Sequence, residues 1–217
     1  MILPCVALGL AAFIMQAAKA LYLSALILPC FITEEIFAVG AMTILTSVMQ
    51  FAMLPLQGIA QGSQPVSSYN YGAKNADRVK KTFRLLLITC LSYSVLLWAS
   101  VQLVPRVFVS IFTADTSLIE FTAPVLKIYL GGLFLFGIQI ACQMTFTSLG
   151  KAVNSIIVAV VRKFVLLIPL IYIMPHMVPD PATGVYMAEP IADIIAVLFT
   201  SVLFTVQFKK ALAEIRD

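Results

Sequence analysis

Charged residues are scarce in this sequence: Asp, Glu, Lys and Arg make up 11% of its 217 residues, whereas 61% are hydrophobic. A soluble domain of this length needs far more charge to cover its surface, so the composition excludes that class. The mean hydropathy of +1.03 and the many long apolar runs instead predict a helical protein that crosses a membrane several times.

Side chains with catalytic or metal-binding chemistry are scarce as well. The chain has one histidine, and its four cysteines show no CxxC spacing. It also lacks a Ser/His/Asp set and a phosphate-binding glycine loop, which excludes the common enzyme patterns. The net charge of +4 is not typical of nucleic-acid binding, because the basic residues gather at the ends of apolar segments. The sequence therefore predicts no enzyme, no cofactor, no bound metal and no nucleic-acid partner.

Six apolar stretches are each long enough to cross a hydrocarbon core of about 30 Å. They cover residues 4–29, 36–67, 79–104, 118–149, 154–174 and 184–208. The second and fourth are longer than a bilayer requires, which predicts kinks or extensions beyond the membrane. The predicted fold class is therefore all-α integral membrane, a six-transmembrane-helix bundle in a single domain over residues 1–217.

Basic residues mark one side of the predicted bundle. Those that follow the second stretch are Lys74, Arg78, Lys80, Lys81 and Arg84, and those in the tail are Lys209, Lys210 and Arg216. The connections on the opposite side carry mostly acidic residues, with Arg106 and Lys127 as their main cations. Because cytoplasmic loops carry an excess of Lys and Arg, both termini are predicted to be cytoplasmic.

A polar stripe runs along the second stretch. Its members, spaced to share one helix face, are Thr43, Ser47, Gln50, Gln57, Gln61 and Gln64. Such glutamines either line a central cleft or bond neighbouring helices together, and the sequence leaves both open. Four residues that bend or locally unwind membrane helices interrupt the same stretch, namely Pro55, Gly58, Gly62 and Pro65. Residues 69–72 are predicted to form a turn where this helix ends.

Further polar side chains lie inside apolar stretches. Gln16 and Lys19 share one face of the first stretch, and a lysine at such depth needs a partner or water. Gln139 and Gln143 lie four residues apart in the fourth stretch, either as cavity residues or as bonds between helices. An aromatic cavity would be supplied by Tyr22 and Tyr129.

The charges in the last two stretches are interpreted differently. Arg162 and Lys163 are predicted to extend to the inner headgroups. Asp193 is the one carboxylate predicted to lie well inside the membrane. It is therefore the candidate partner of Lys19 and the candidate site of ion coupling.

One long motif resembles a known family. It consists of Pro55-Leu-Gln-Gly58, Gln61-Gly62-Ser-Gln64-Pro65 and Tyr69-Asn70-Tyr71-Gly72-Ala73-Lys74, followed by Arg78-Val-Lys80-Lys81. This run resembles the eighth helix and following loop of the multidrug and toxic compound extrusion (MATE) transporters, with Asn70 and Gly72 among its motif residues. The resemblance covers essentially the whole chain but about half of a usual member, which has two six-helix lobes.

The resemblance implies the carboxy-terminal lobe of a secondary antiporter in the plasma membrane. Such a lobe would export lipophilic, often cationic drugs in exchange for H⁺ or Na⁺, and alone would be an incomplete half transporter. Its partners would be the bilayer, drug-like molecules, and an amino-terminal lobe or a second copy of the chain. Sodium-coupled members carry acids near the positions of Gln16 and Ile138, and this chain carries none there. The alternatives are a flippase for a lipid-linked precursor and a non-transporting membrane interaction protein.

Overall fold

The computed structural model describes residues 36–177 and 181–215, which are almost entirely helical and contain no β-strand. The helices are α1 (Ile36–Gly72), α2 (Ala76–Leu103), α3 (Pro105–Ser110), α4 (Thr116–Tyr129), α5 (Leu133–Ser148), α6 (Ala152–Val160), a π-helical segment (Val161–Leu167), α7 (Ile168–Met177) and α8 (Pro181–Glu214). The predicted stretch at residues 4–29 lies outside this part of the chain.

The apolar helices are long enough to cross a membrane. Four stretches among the described residues meet the requirement by length and composition: Gly40–Gly72, Ala76–Leu103, Val153–Met174 and Thr183–Glu214. A fifth span is formed if α4 and α5 are taken together across their 52° bend. The prediction of an all-α integral membrane protein is confirmed.

Helix α1 runs through both of its prolines. It continues for 37 residues to Gly72, with Pro55 and Pro65 inside it, so the predicted local unwinding is absent from α1. The prediction of a turn at residues 69–72 is also wrong, because the turn follows at Ala73 and Lys74, where Lys74 has a φ of 54°. Membrane helices tolerate proline because neighbouring groups satisfy the freed backbone. The result is one long rod.

The fourth predicted stretch is broken where its glycines lie. Between α4 and α5 the chain bends by 52° around Gly131 and Gly132, which confirms the kink expected in residues 118–149. A Cβ atom on Gly132 would lie 3.1 Å from the Cβ atom of Asp193 and 3.2 Å from Pro190. The absence of a side chain at Gly132 therefore allows the start of α5 to approach α8 closely.

Helix α5 forms the centre of the bundle. A Cβ atom on its Gly137 would lie 2.6 Å from the carbonyl oxygen of Cys90 in α2, so the two backbones are in contact there. The main core gathers buried apolar side chains from α1, α2, α5, α7 and α8, among them Leu45, Ile171 and Ala192. This packing fixes the position of α8, which carries the charged residues described below.

One end of the bundle is joined by a small polar network. The Lys151 ammonium donates to both carboxylate oxygens of Glu214, at 2.9 and 2.7 Å, and the Tyr71 hydroxyl donates to the same carboxylate at 3.2 Å. These contacts join the ends of α1 and α8 to the connection between α5 and α6. The basic residues after α1 and those near the end of α8 therefore lie at the same end of the bundle.

Candidate functional site

A cluster of four charged side chains is buried between the π-helical segment and α8. The Arg162 Nε donates to Asp193 Oδ1 at 2.7 Å, and its Nη2 donates to Glu189 Oε1 at 3.2 Å while also contacting Asp193. The Lys163 ammonium lies 3.5 Å from the same oxygen of Glu189. Glu189 and Asp193 are 1% and 2% exposed, so the cluster is shielded from solvent and carries two charges of each sign.

Local helix geometry brings these residues together. Glu189 and Asp193 are four residues apart on α8, which places both carboxylates on one face. Arg162 and Lys163 are consecutive in the π-helical segment, a form of helix that occurs frequently at functional sites. The Arg162 guanidinium also lies over the ring of Phe136 in α5, 4.4 Å from its centroid, a favourable cation–π contact.

The cluster is neutral overall but not saturated. Buried ions are tolerated when they are paired and hydrogen-bonded, and both conditions hold for Arg162 and Asp193. Glu189 Oε2, however, is buried and has no hydrogen-bond partner among the residues described. A carboxylate oxygen with free acceptor capacity is the kind of atom that accepts a proton or a cation. The cluster therefore contains both a closed ion pair and an open acceptor.

These contacts correct three expectations from the sequence. Arg162 and Lys163 do not extend to the headgroups, because carboxylates on α8 hold both inside the bundle. Asp193 is not the one carboxylate inside, since Glu189 is buried beside it. The cation on Asp193 is Arg162, whereas Lys19, its predicted partner, lies outside the described residues along with Gln16 and Tyr22.

The polar face of α1 is largely open. Gln50 and Gln61 are exposed and Gln57 is half-buried, while a Cβ atom on Gly58 or Gly62 would meet nothing within 4 Å. Pro55 and Pro65 are also exposed on this helix. We call the face formed by Pro55, Gly58, Gln61, Gly62 and Pro65 the open face of α1. No other part of the described chain covers it.

Other turns of α1 pack inside the bundle. The Gln64 amide donates to the Met144 sulfur of α5 at 3.2 Å, so this glutamine bonds two helices together. Asn70 is buried and donates to the carbonyl of Val66 at 2.7 Å, whereas Gly72 is the last residue of α1. Both interpretations of the stripe therefore apply, on different turns of the helix.

The remaining predicted cavity residues are enclosed within the bundle. Tyr129, Gln139 and Gln143 are 1%, 2% and 8% exposed, and the first belongs to the main core. Gln139 Oε1 has no hydrogen-bond partner in the described part of the chain. The structure therefore does not bring these residues to the open face of α1.

Sequence reasoning missed Glu189, Arg162, Lys163 and Phe136 as members of one site. A signal was present, since two acids share a helix face in one apolar stretch and two adjacent bases lie in the stretch before it. Equal numbers of opposite charges in neighbouring apolar segments favour internal pairing. Among the described residues, three His, Cys, Asp or Glu side chains never come together in a way that could hold a metal ion.

Comparison with known proteins places this architecture. The MatE family profile matches residues 11–173, which include α1 to α6 and most of the following span. The multidrug export protein MepA of Staphylococcus aureus strain NCTC 8325 / PS 47 is 25% identical over 138 residues, covering 64% of this chain and 30% of MepA. The named relatives are transport or export proteins, not enzymes.

Solved structures match over nearly the whole chain. The MATE multidrug transporter DinF-BH in complex with a rhodamine dye is 33% identical, with a TM-score of 0.80, over 93% of this chain and 45% of DinF-BH. A MATE structure in the bent conformation shares the fold, with a TM-score of 0.91 at 15% identity, over 99% of this chain and 47% of the other. The chain spans about half the length of these structures. The family match over most of the sequence, carried by this helical bundle, means that the chain belongs to the MatE family.

Proposed function

We propose that this chain forms the carboxy-terminal lobe of a multidrug exporter of the secondary antiporter type. The observation that carries the proposal is the open face of α1, a polar and proline- and glycine-rich helix face left uncovered in a chain of the MatE family. A partner lobe facing it would enclose a cleft between the two. The relatives named for multidrug export, and the one that holds a rhodamine dye, support drug-like molecules as the contents of that cleft.

The chemistry of the open face suits lipophilic cations. The Gln61 side chain offers a hydrogen-bonding group without a fixed charge, and its neighbours Gly58 and Gly62 leave space beside it. Apolar side chains on the same helix, Phe51 and Leu54, are exposed at 61% and 65%. Binding sites for small molecules combine apolar walls with few polar groups in this way. Alternating access would follow from rocking of the two lobes around the cleft.

Coupling to H⁺ or Na⁺ is assigned in this proposal to Asp193. A coupling ion would compete with the Arg162 guanidinium for the same carboxylate, because Arg162 Nε lies 2.7 Å from it. Neighbouring Glu189, with one unpartnered oxygen, gives the incoming ion a first acceptor. The exporter would then alternate between Asp193 paired with Arg162 and Asp193 bound to the ion.

The proposed location is the plasma membrane, with both termini in the cytoplasm. The excess of Lys and Arg at the end of the bundle where α1 meets α2 supports this orientation. The contact of Glu214 with Lys151 and Tyr71 supports it further, because it brings the end of α8 to the same side.

Export of a cationic rhodamine dye tests the proposed function. Cells would express either this chain alone or the chain fused behind an amino-terminal lobe of a MatE-family protein, with equal amounts confirmed in the membrane. We expect the fusion to lower the dye content of loaded cells and the chain alone to leave it unchanged, since one lobe cannot enclose a cleft. Export by the chain alone would mean that two copies supply both lobes. Export by neither would contradict the proposal and favour a flippase or an interaction protein.

A further inference from the structure

A groove opens at the end of the bundle opposite the cluster of basic residues at the start of α2. It has a volume of about 470 Å³ and lies between the end of α2, the short helix α3 and the second half of α4. Its walls are mostly apolar, with Leu103, Val107 and Pro124 among them, and its two basic side chains are Arg106 and Lys127. These are the two cations that the described chain carries at this end.

The groove lies at the level where headgroups meet acyl chains. The Gln102 amide donates to the backbone carbonyl of Lys127 at 3.0 Å, which places Lys127 beside the last turn of α2. The surrounding surface is unusually apolar for a helix end, since Leu103, Val107 and Ile111 are 80%, 58% and 65% exposed. Exposed apolar side chains beside cationic ones are typical of the boundary between hydrocarbon and headgroups.

The charges in the groove leave one cation uncompensated. Arg106 forms an ion pair with Glu120 at 3.2 Å, but both side chains are exposed, at 72% and 67%, so the pair is weak. Lys127 has no carboxylate within ion-pairing distance in the part of the chain that the structure describes. Because a guanidinium has five donors, Arg106 retains hydrogen-bonding capacity beyond its bond to Glu120.

We propose that this groove binds the phosphate headgroup of an anionic phospholipid. Arginine presents paired donors that match phosphate oxygens, and lysine adds a point charge. The apolar walls distinguish a lipid from free phosphate, because they would contact acyl chains and offer nothing to an inorganic ion. In the orientation proposed above, the lipid belongs to the outer leaflet. The site itself stands on the groove and its charges, independently of drug export.

Native mass spectrometry of the full chain in detergent tests the site. Phosphatidylglycerol, phosphatidylcholine or inorganic phosphate would be added in increasing amounts. We expect one phosphatidylglycerol to bind before all others and the double variant R106Q/K127Q to weaken this step by about tenfold, the loss expected from charge-assisted hydrogen bonds. The matched control K209Q/K210Q removes the same two positive charges at the other end and should leave the step unchanged. K127R, which keeps the charge, should bind nearly as well as wild type.

Several results would overturn the site. Equal weakening in both double variants would mean attraction to net charge alone. Equal retention of phosphatidylcholine would exclude recognition of an anionic headgroup, and displacement of the lipid by inorganic phosphate at similar concentrations would exclude a role for the apolar walls. Thermal unfolding of R106Q/K127Q checks folding, and because both side chains are exposed we expect it to match wild type.

Discussion

The cluster around Arg162 shows how a single residue organises charge inside an apolar bundle. Removal of an ion from water costs several kcal/mol per ion, and only close pairing offsets that cost. Here one guanidinium contacts two carboxylates and an aromatic ring. Its loss would leave Glu189 and Asp193 one turn apart with only Lys163 nearby.

Arg162→Gln should therefore destabilise the protein by about 3–5 kcal/mol, the cost of leaving a buried charge unpaired. Chemical denaturation in detergent, followed by circular dichroism, measures the change. The double variant R162Q/D193N removes one charge of each sign and keeps Lys163 with Glu189, so it should recover most of the loss. Arg106→Gln, in an exposed pair, should cost less than about 1 kcal/mol. An Arg162→Gln protein as stable as wild type would show that the cluster contributes nothing.

Sequence reasoning identified Asp193 but not its surroundings. The depth of Asp193 could be predicted because it lies well inside an apolar stretch. The depth of Arg162 could not, because long basic side chains near a span end reach the headgroups by default. Which of the two outcomes holds depends on whether a carboxylate on a neighbouring helix faces the base. That is a property of packing between α8 and the π-helical segment.

At the level of helices, close approach depends on where side chains are missing. Gly137 on α5 lies against the backbone of α2 at Cys90, whereas Gly58 on α1 faces open space. The two glycines therefore make a matched pair for testing contact between helices.

Gly137→Ala should lower the stability of the bundle by about 1–3 kcal/mol, the usual cost of overpacking, because the new Cβ atom would lie 2.6 Å from a backbone oxygen. Gly58→Ala meets no atom within 4 Å and should leave stability unchanged or raise it slightly, since alanine favours helix. Thermal unfolding of both variants in the same detergent measures the difference. Equal midpoints would contradict the close contact between α2 and α5.

Helix boundaries were predictable to different degrees. The bend at Gly131 and Gly132 follows from adjacent glycines in a stretch too long for the bilayer. The continuity of α1 through Pro55 and Pro65 does not follow from sequence, because local signals favour interruption and the surrounding bundle overrides them. The π-helical segment likewise has no local signal in the sequence that the known patterns recognise.

At the level of the whole molecule, the chain has an ordered interior and one helix face without a cover. The interior contains the charge cluster, and the uncovered part is the open face of α1. A chain that spans about half the length of its structural relatives would meet the other half across such a face. The account thus joins an ion-binding cluster inside the lobe to a drug-binding cleft at its surface.

Export by the fused protein tests that union most directly. The content of the rhodamine dye would be measured in cells that express the fusion as wild type, D193N, R162Q/D193N or D77N, with membrane levels matched. Asp77 is an exposed acid whose side chain is 87% accessible, so D77N should export as wild type does. We expect D193N to lose most export. R162Q/D193N should be equally inactive although its remaining charges are paired, because it still lacks the ion-binding carboxylate. Export restored in R162Q/D193N would contradict the account and leave Asp193 a purely structural partner of Arg162.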